Sequence, residues 1–178
     1  MKKLSIALLG VVLAMVALTG CQSPKVMAYV NGSQISVSQY EEIVGGLEDL
    51  GQPLSAEDRT GVATNLIQFE IIRQFAADSG AKVTDTKLQQ ALDQQVEQAA
   101  QSGVQLKGGS LEYYRQYTEA TLLIEAAGQE EASKALQEAE VDLNPKYGAW
   151  GPGGEQGAMQ ALPGYGSLSL PSSVNQDR

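Results

Sequence analysis

The chain has 178 residues and carries 12 basic against 21 acidic side chains, a formal net charge of −9. An acidic surface of this kind argues against nucleic-acid binding and against electrostatic docking on anionic lipid heads. There is no histidine and one cysteine, which removes Ser-His-Asp and Cys-His catalysis, His-ligated zinc and any disulfide within the chain.

The first 20 residues read as a targeting segment. Lys2 and Lys3 give a basic start, and Leu4 to Leu18 is apolar but for Ser5 and Gly10. That run is short for a membrane span and has the anatomy of a signal peptide. It closes on Leu18-Thr19-Gly20-Cys21, which resembles the bacterial lipobox. The resemblance implies cleavage before Cys21 and acylation of its thiol; the alternative is an ordinary secretory signal with an incidental cysteine. Cleavage would remove two of the basic groups and leave 158 residues with a net charge of −11. That length suits one domain with a real core. Acyl chains would then supply the membrane attachment, which places the protein on the extracytoplasmic face of the cell membrane.

After a short tether (21–25), Lys25 to Glu42 reads as strand, turn, strand and helix start. Val26, Ala28 and Val30 share one face of an extended segment and are expected to face the helices, with Met27 and Tyr29 on the other. Asn31-Gly32 supplies the positive φ angles of a tight hairpin turn. Ser36 suits a helix N-cap with Gln39 completing a capping box, and Ile35 and Tyr40 are spaced as a hydrophobic staple. A first helix follows from Val37 to about Leu50, weakened by Gly45-Gly46.

Ser55 with Asp58 predicts a second capped helix, ending at Gly80. Its two adjoining apolar stripes (Val62, Leu66, Phe69 and Ala76, then Ile67, Ile71 and Phe75) mark it as the central buried helix. A third helix follows Thr84, with Leu88, Leu92, Val96 and Ala99 on one face. A fourth is expected to start at Ser110, to be broken or kinked at Gly128 and to continue to about Glu140. Val141 to Asn144 is extended, because Pro145 disfavours helix before it, and Lys146 to Trp150 is read as continuing it after a bend. Gly, Pro and Ser dominate residues 151–178, which predicts a disordered tail.

No calcium-loop, phosphate-loop or paired-carboxylate spacing stands out, so the sequence predicts no enzyme, no metal and no cofactor. The expected architecture is mainly α. It comprises an irregular bundle of four or five helices with a small two-stranded sheet made by residues near 26–30 and 141–150.

Val30-Asn31-Gly32, Ile35-Ser36 and Tyr40-Glu41, with the return segment Val141-Asp142-Leu143-Asn144-Pro145-Lys146-Tyr147-Gly148, resemble the SurA N-terminal domain family. These chaperone domains are also similar to those of the PrsA foldase lipoproteins and trigger factor. The resemblance covers roughly Val26 to Trp150. It implies a holdase for unfolded or extended exported polypeptides. Longer members append histidine-bearing parvulin domains, which this chain lacks, so prolyl isomerase activity is not carried over. Leu47, Leu50, Phe75, Tyr113, Tyr114, Tyr117 and Trp150 are candidate client-lining residues, since large rigid side chains give contact area with few rotors. The alternative for each is a core position. The alternative for the whole chain is an adaptor or structural lipoprotein with one envelope partner.

Overall fold

The computed structural model describes residues 25–51 and 53–150. The expected signal segment, the lipidation site Cys21 and the tail 151–178 lie outside the described residues. In chain order the elements are β1 (Val26–Val30), β2 (Ser33–Ser36), α1 (Val37–Glu48), α2 (Ala56–Ser79), α3 (Asp85–Gln101), α4 (Gly108–Ala127), α5 (Gln129–Glu138) and β3 (Val141–Leu143). A single 3₁₀ turn, Pro145–Tyr147, follows β3. The fold is a helical bundle with one small antiparallel sheet, as the sequence predicts.

That sheet has three strands in the order β2-β1-β3, one more than expected. The hairpin and the return strand are both present, and β1 is shared between them. Asn31 at φ 47° and Gly32 at φ 86° form the turn, whose twist matches that of the strands it joins. The β1–β3 ladder runs from Val30 opposite Val141 to Ala28 opposite Leu143. Two bonds extend it, Asn31 N–H to Glu140 O at 2.8 Å and Asn144 N–H to Met27 O at 2.9 Å. The Asn31 side chain ties the turn down further. Its Oδ1 accepts from Glu140 N–H at 2.8 Å and its Nδ2 donates to Gln74 Oε1 on α2 at 2.9 Å.

The simple alternation expected for β1 fails. An irregularity in register between Val26 and Ala28 shifts the pairing with β2, and a bulge of this kind resets which face a side chain takes. Met27 is fully enclosed with Val26, Ala28 and Val30, leaving only Tyr29 half-exposed. The segment 146–150 does not continue β3 either. Pro145 starts a helical turn for which it is suited by its fixed φ, and Asn144 caps that turn by accepting from Lys146 N–H at 3.1 Å.

Local signals place the helices well. Ser36 Oγ accepts from Gln39 N–H, but the Gln39 side chain returns no bond and the expected box at α1 is half made, whereas Ser55 and Asp58 form the reciprocal capping box at α2. Thr84 caps α3, and Gly80 ends α2 in the left-handed conformation. Helix α4 begins at Gly108, two residues before the expected start at Ser110, which sits in its first turn. The Ser110 hydroxyl is buried, accepting from Lys107 N–H at 3.0 Å and donating to Lys107 O at 2.8 Å.

The wide apolar surface of α2 lies at the centre of the core, with Val62, Leu66, Ile67, Ile71 and Ile72 essentially sealed from solvent. Helices α1 and α4 cross backbone to backbone. A Cβ at Gly46 would come within 2.6 Å of the Gly109 backbone, and one at Gly109 would strike the Glu42 carbonyl. Gly45 has nothing within 4 Å of its Cβ position. The two adjacent glycines thus differ: Gly46 is required by the crossing, and Gly45 only weakens the helix.

Candidate functional site

The candidate lining residues separate by burial. Leu47, Tyr113 and Tyr114 are core residues, none more than 4% exposed. They present no surface to a client, which corrects the expectation for these three. Leu50, Phe75, Tyr117 and Trp150 are half-buried and packed against the core. The aromatic residues of α4 meet α2: Phe69 lies 5.7 Å from Tyr113 and 6.2 Å from Tyr117 between ring centroids, and Tyr113 stands edge-on to Tyr114 at 5.6 Å. Helical spacing places all of these on the apolar side of α4, but only contact with α2 determines which of them is covered.

Within this cluster the Tyr113 hydroxyl accepts from Asn65 Nδ2 at 2.7 Å. Burial pushes the Tyr113 phenol well above its ordinary value near 10, while the Asn65 bond opposes that rise. Burial also raises Tyr40, against the pull of the Arg59 charge. A folded-state pKa above the unfolded value gives stability that is complete below the unfolded pKa and is lost as pH rises past it. The fold is therefore expected to weaken from about pH 10 upward. An ultraviolet phenolate titration should show Tyr113 ionising only as the fold opens. Simultaneous ionisation of every tyrosine in a fully folded chain would contradict it.

The surface holds a cleft of about 120 Å³ between β2, α1, α2 and α4. Its floor is Ile35, Leu66, Phe69, Ala120 and Leu123, all buried core residues. Its rim is polar: Gln34, Gln39, Glu70, Arg73, Gln116 and Glu119. Arg73 pairs with Glu70, which also accepts from Gln74 Nε2 at 2.7 Å. Arg115 sits beside Glu119 at 3.5 Å but is committed to Glu112 through two bonds of 2.8 and 2.9 Å. Those bonds to Arg115 hold the Glu112 carboxyl below its ordinary range, against the effect of its partial burial. The volume equals roughly four water molecules and falls well short of the several hundred cubic ångströms that small-molecule sites occupy.

Sequence reading missed this cleft. Leu66 and Phe69 read as positions on the apolar stripe of α2, which they are, and the sequence carried no expectation for Leu123, Gln34 or Gln116. Nothing local indicates that four elements leave their rims apart here. Among the described residues no group of three or more His, Cys, Asp or Glu could hold a metal, and no helix is long and apolar enough to cross a membrane. No family model, curated protein or solved structure matches this chain.

Proposed function

We propose that this chain is a membrane-anchored extracytoplasmic holdase that binds unfolded or extended exported polypeptides without prolyl isomerase catalysis. The cleft carries this reading. An apolar floor inside a rim of amides and charges suits one side chain of an extended polypeptide and is too small for a cofactor. The net charge of −9 favours basic clients and keeps a loaded complex soluble.

The residues behind the family resemblance support the same reading in a different way. Asn31-Gly32 makes the turn, Ile35 is core and Ser36 caps α1. Tyr40 packs on Tyr147, and Asn144 caps the turn that delivers it. These residues converge on one clasp that joins the two ends of the helical body. They build a scaffold, which fits a family whose longer members place their chemistry in separate domains.

The chain from Gln22 onward is expected to suppress aggregation of several unrelated unfolded proteins near stoichiometric ratio, and to leave prolyl isomerisation of a short peptide at the buffer rate. Substituting Cys21→Ser should release the full-length protein from the membrane fraction. Retention at the wild-type level would remove the anchor. A second reading, an adaptor lipoprotein for one envelope partner, is favoured by the burial of Leu47, Tyr113 and Tyr114, which leaves less apolar surface than a promiscuous binder uses. A single stoichiometric partner without aggregation suppression would establish that alternative.

A further inference from the structure

We infer that the outer edge of β2 takes an extended, cationic polypeptide as an added strand, with one aliphatic side chain seated in the adjoining cleft. This rests on the holdase reading of that cleft and specifies how a client is held.

The bonding pattern of the sheet identifies the free groups. In an antiparallel ladder, successive residues of a strand direct their N–H and C=O to opposite neighbours. Met27 O and Asn31 N–H bond on the β3 side, so Tyr29 between them does too, and Ala28 and Val30 bond toward β2. Their partners there are Ile35 and Ser33. The two-residue turn gives the same phase, because the residues flanking such a turn, Val30 and Ser33, form a hydrogen-bonded pair. Gln34, opposite Tyr29, is therefore left with its N–H and C=O pointing out of the sheet. Neither group has a partner among the described residues.

The cleft lies at this edge. It is lined by Gln34 and Ile35 of β2 and by no residue of β1 or β3. An incoming strand bonded to Gln34 would run along the rim, its inward side chain over Ile35, Ala120 and Leu123. The available volume of about 120 Å³ admits one valine- or leucine-sized group. The side-chain amides of Gln34 and Gln39 also lack partners among the described residues. Each offers both a donor and an acceptor, a combination that matches a peptide main chain whatever its sequence. The charge of the occupant follows from the rim, where Glu70 pairs with Arg73 while Glu119 shares Arg115 with Glu112, which leaves one carboxylate in excess in a chain of net charge −9. Strand addition draws affinity from main-chain bonds and selectivity from the alternate side-chain pocket, which is what a binder of many extended clients needs. β2 is four residues long and rich in serine and glutamine, so the edge is too short and polar to aggregate freely.

The test titrates an alternating valine–lysine dodecapeptide into the isotopically labelled full chain in detergent micelles. The Gln34 amide and the Ile35 and Leu123 methyls should shift most, and the Gln34 amide should gain exchange protection. N-methylation of the peptide at alternate residues should weaken binding about tenfold, the worth of one lost hydrogen bond, with the intervening positions tolerant. Glutamate in place of lysine should weaken it as well. Gln34→Pro removes only the outward N–H, so it should weaken binding about tenfold while the β1–β2 amides stay protected. Uniform tolerance of N-methylation, the largest shifts away from Gln34, or a dimer of this chain formed through β2 would each overturn the proposal. The holdase reading is judged apart. Aggregation suppression that survives Gln34→Pro leaves a holdase without strand docking. Its absence from the unsubstituted chain removes the holdase, and the peptide titration still decides the edge.

Discussion

Replacing Gly109 by alanine is expected to cost more than about 3 kcal/mol, the upper part of the range for forcing atoms into packed interiors. The added Cβ would strike the Glu42 carbonyl and lie 2.6 Å from the carbon that bears it and 2.9 Å from Ile43 Cα. These are backbone atoms of α1, and no rotamer change moves them aside. The helices must separate, which loosens Ile43 and Leu47, both almost fully buried. Gly46→Ala meets the same contact from the other side and should cost a similar amount. The double substitution should cost far less than the sum, because once the helices are apart the second methyl has little left to strike. Gly45→Ala is the control. It has open space at its Cβ position and should stabilise the chain by about 0.5–1 kcal/mol through helix propensity. Urea unfolding midpoints measure all four. A change of under 0.5 kcal/mol at Gly109 would mean that α1 and α4 do not cross this closely.

That contrast also shows what the sequence made legible. Asn31-Gly32, Ser55 with Asp58, and Gly80 act on backbone groups a few residues away, so their chemistry is written locally and the structure bears it out. Gly46 and Gly109 act on each other across two intervening helices. Read locally, Gly46 could only be a weak point in α1. The same distinction divides the candidate lining residues. A 3.6-residue period places Tyr113 and Tyr117 on the apolar side of α4, but it cannot say that Tyr113 ends beneath α2, bonded to Asn65, while Tyr117 stays half-covered. The cleft was less legible still. Its polar rim differs from an ordinary solvated face only by what lies beneath it, and three separate elements supply that floor.

Truncating Tyr147 to alanine is expected to release the return segment at a cost of about 3–4 kcal/mol, as for other buried aromatic residues. The ring is 7% exposed. It stands 5.0 Å from Tyr40 at an interplanar angle of 68°, an edge-to-face contact that adds to the burial. Tyr40 is in turn fixed by its hydroxyl, which donates to Arg59 O at 3.1 Å. The loss should appear first at particular amides. Asn31 and Asn144 donate to Glu140 O and Met27 O across the β1–β3 ladder, and both should exchange before the amides of α2. Tyr147→Phe keeps the ring and should stay within about 0.5 kcal/mol of the parent. A cost below 1 kcal/mol for the alanine variant, with Asn31 and Asn144 still protected, would mean that the return segment is held by its main-chain bonds alone. If β3 does detach, β1 retains only β2, and a lone two-stranded hairpin is marginal in water. The outer edge of β2 is positioned through that hairpin. Tyr147→Ala should therefore weaken capture of the valine–lysine peptide although Tyr147 does not line the cleft, and that effect would tie the clasp to the function proposed for the edge it supports.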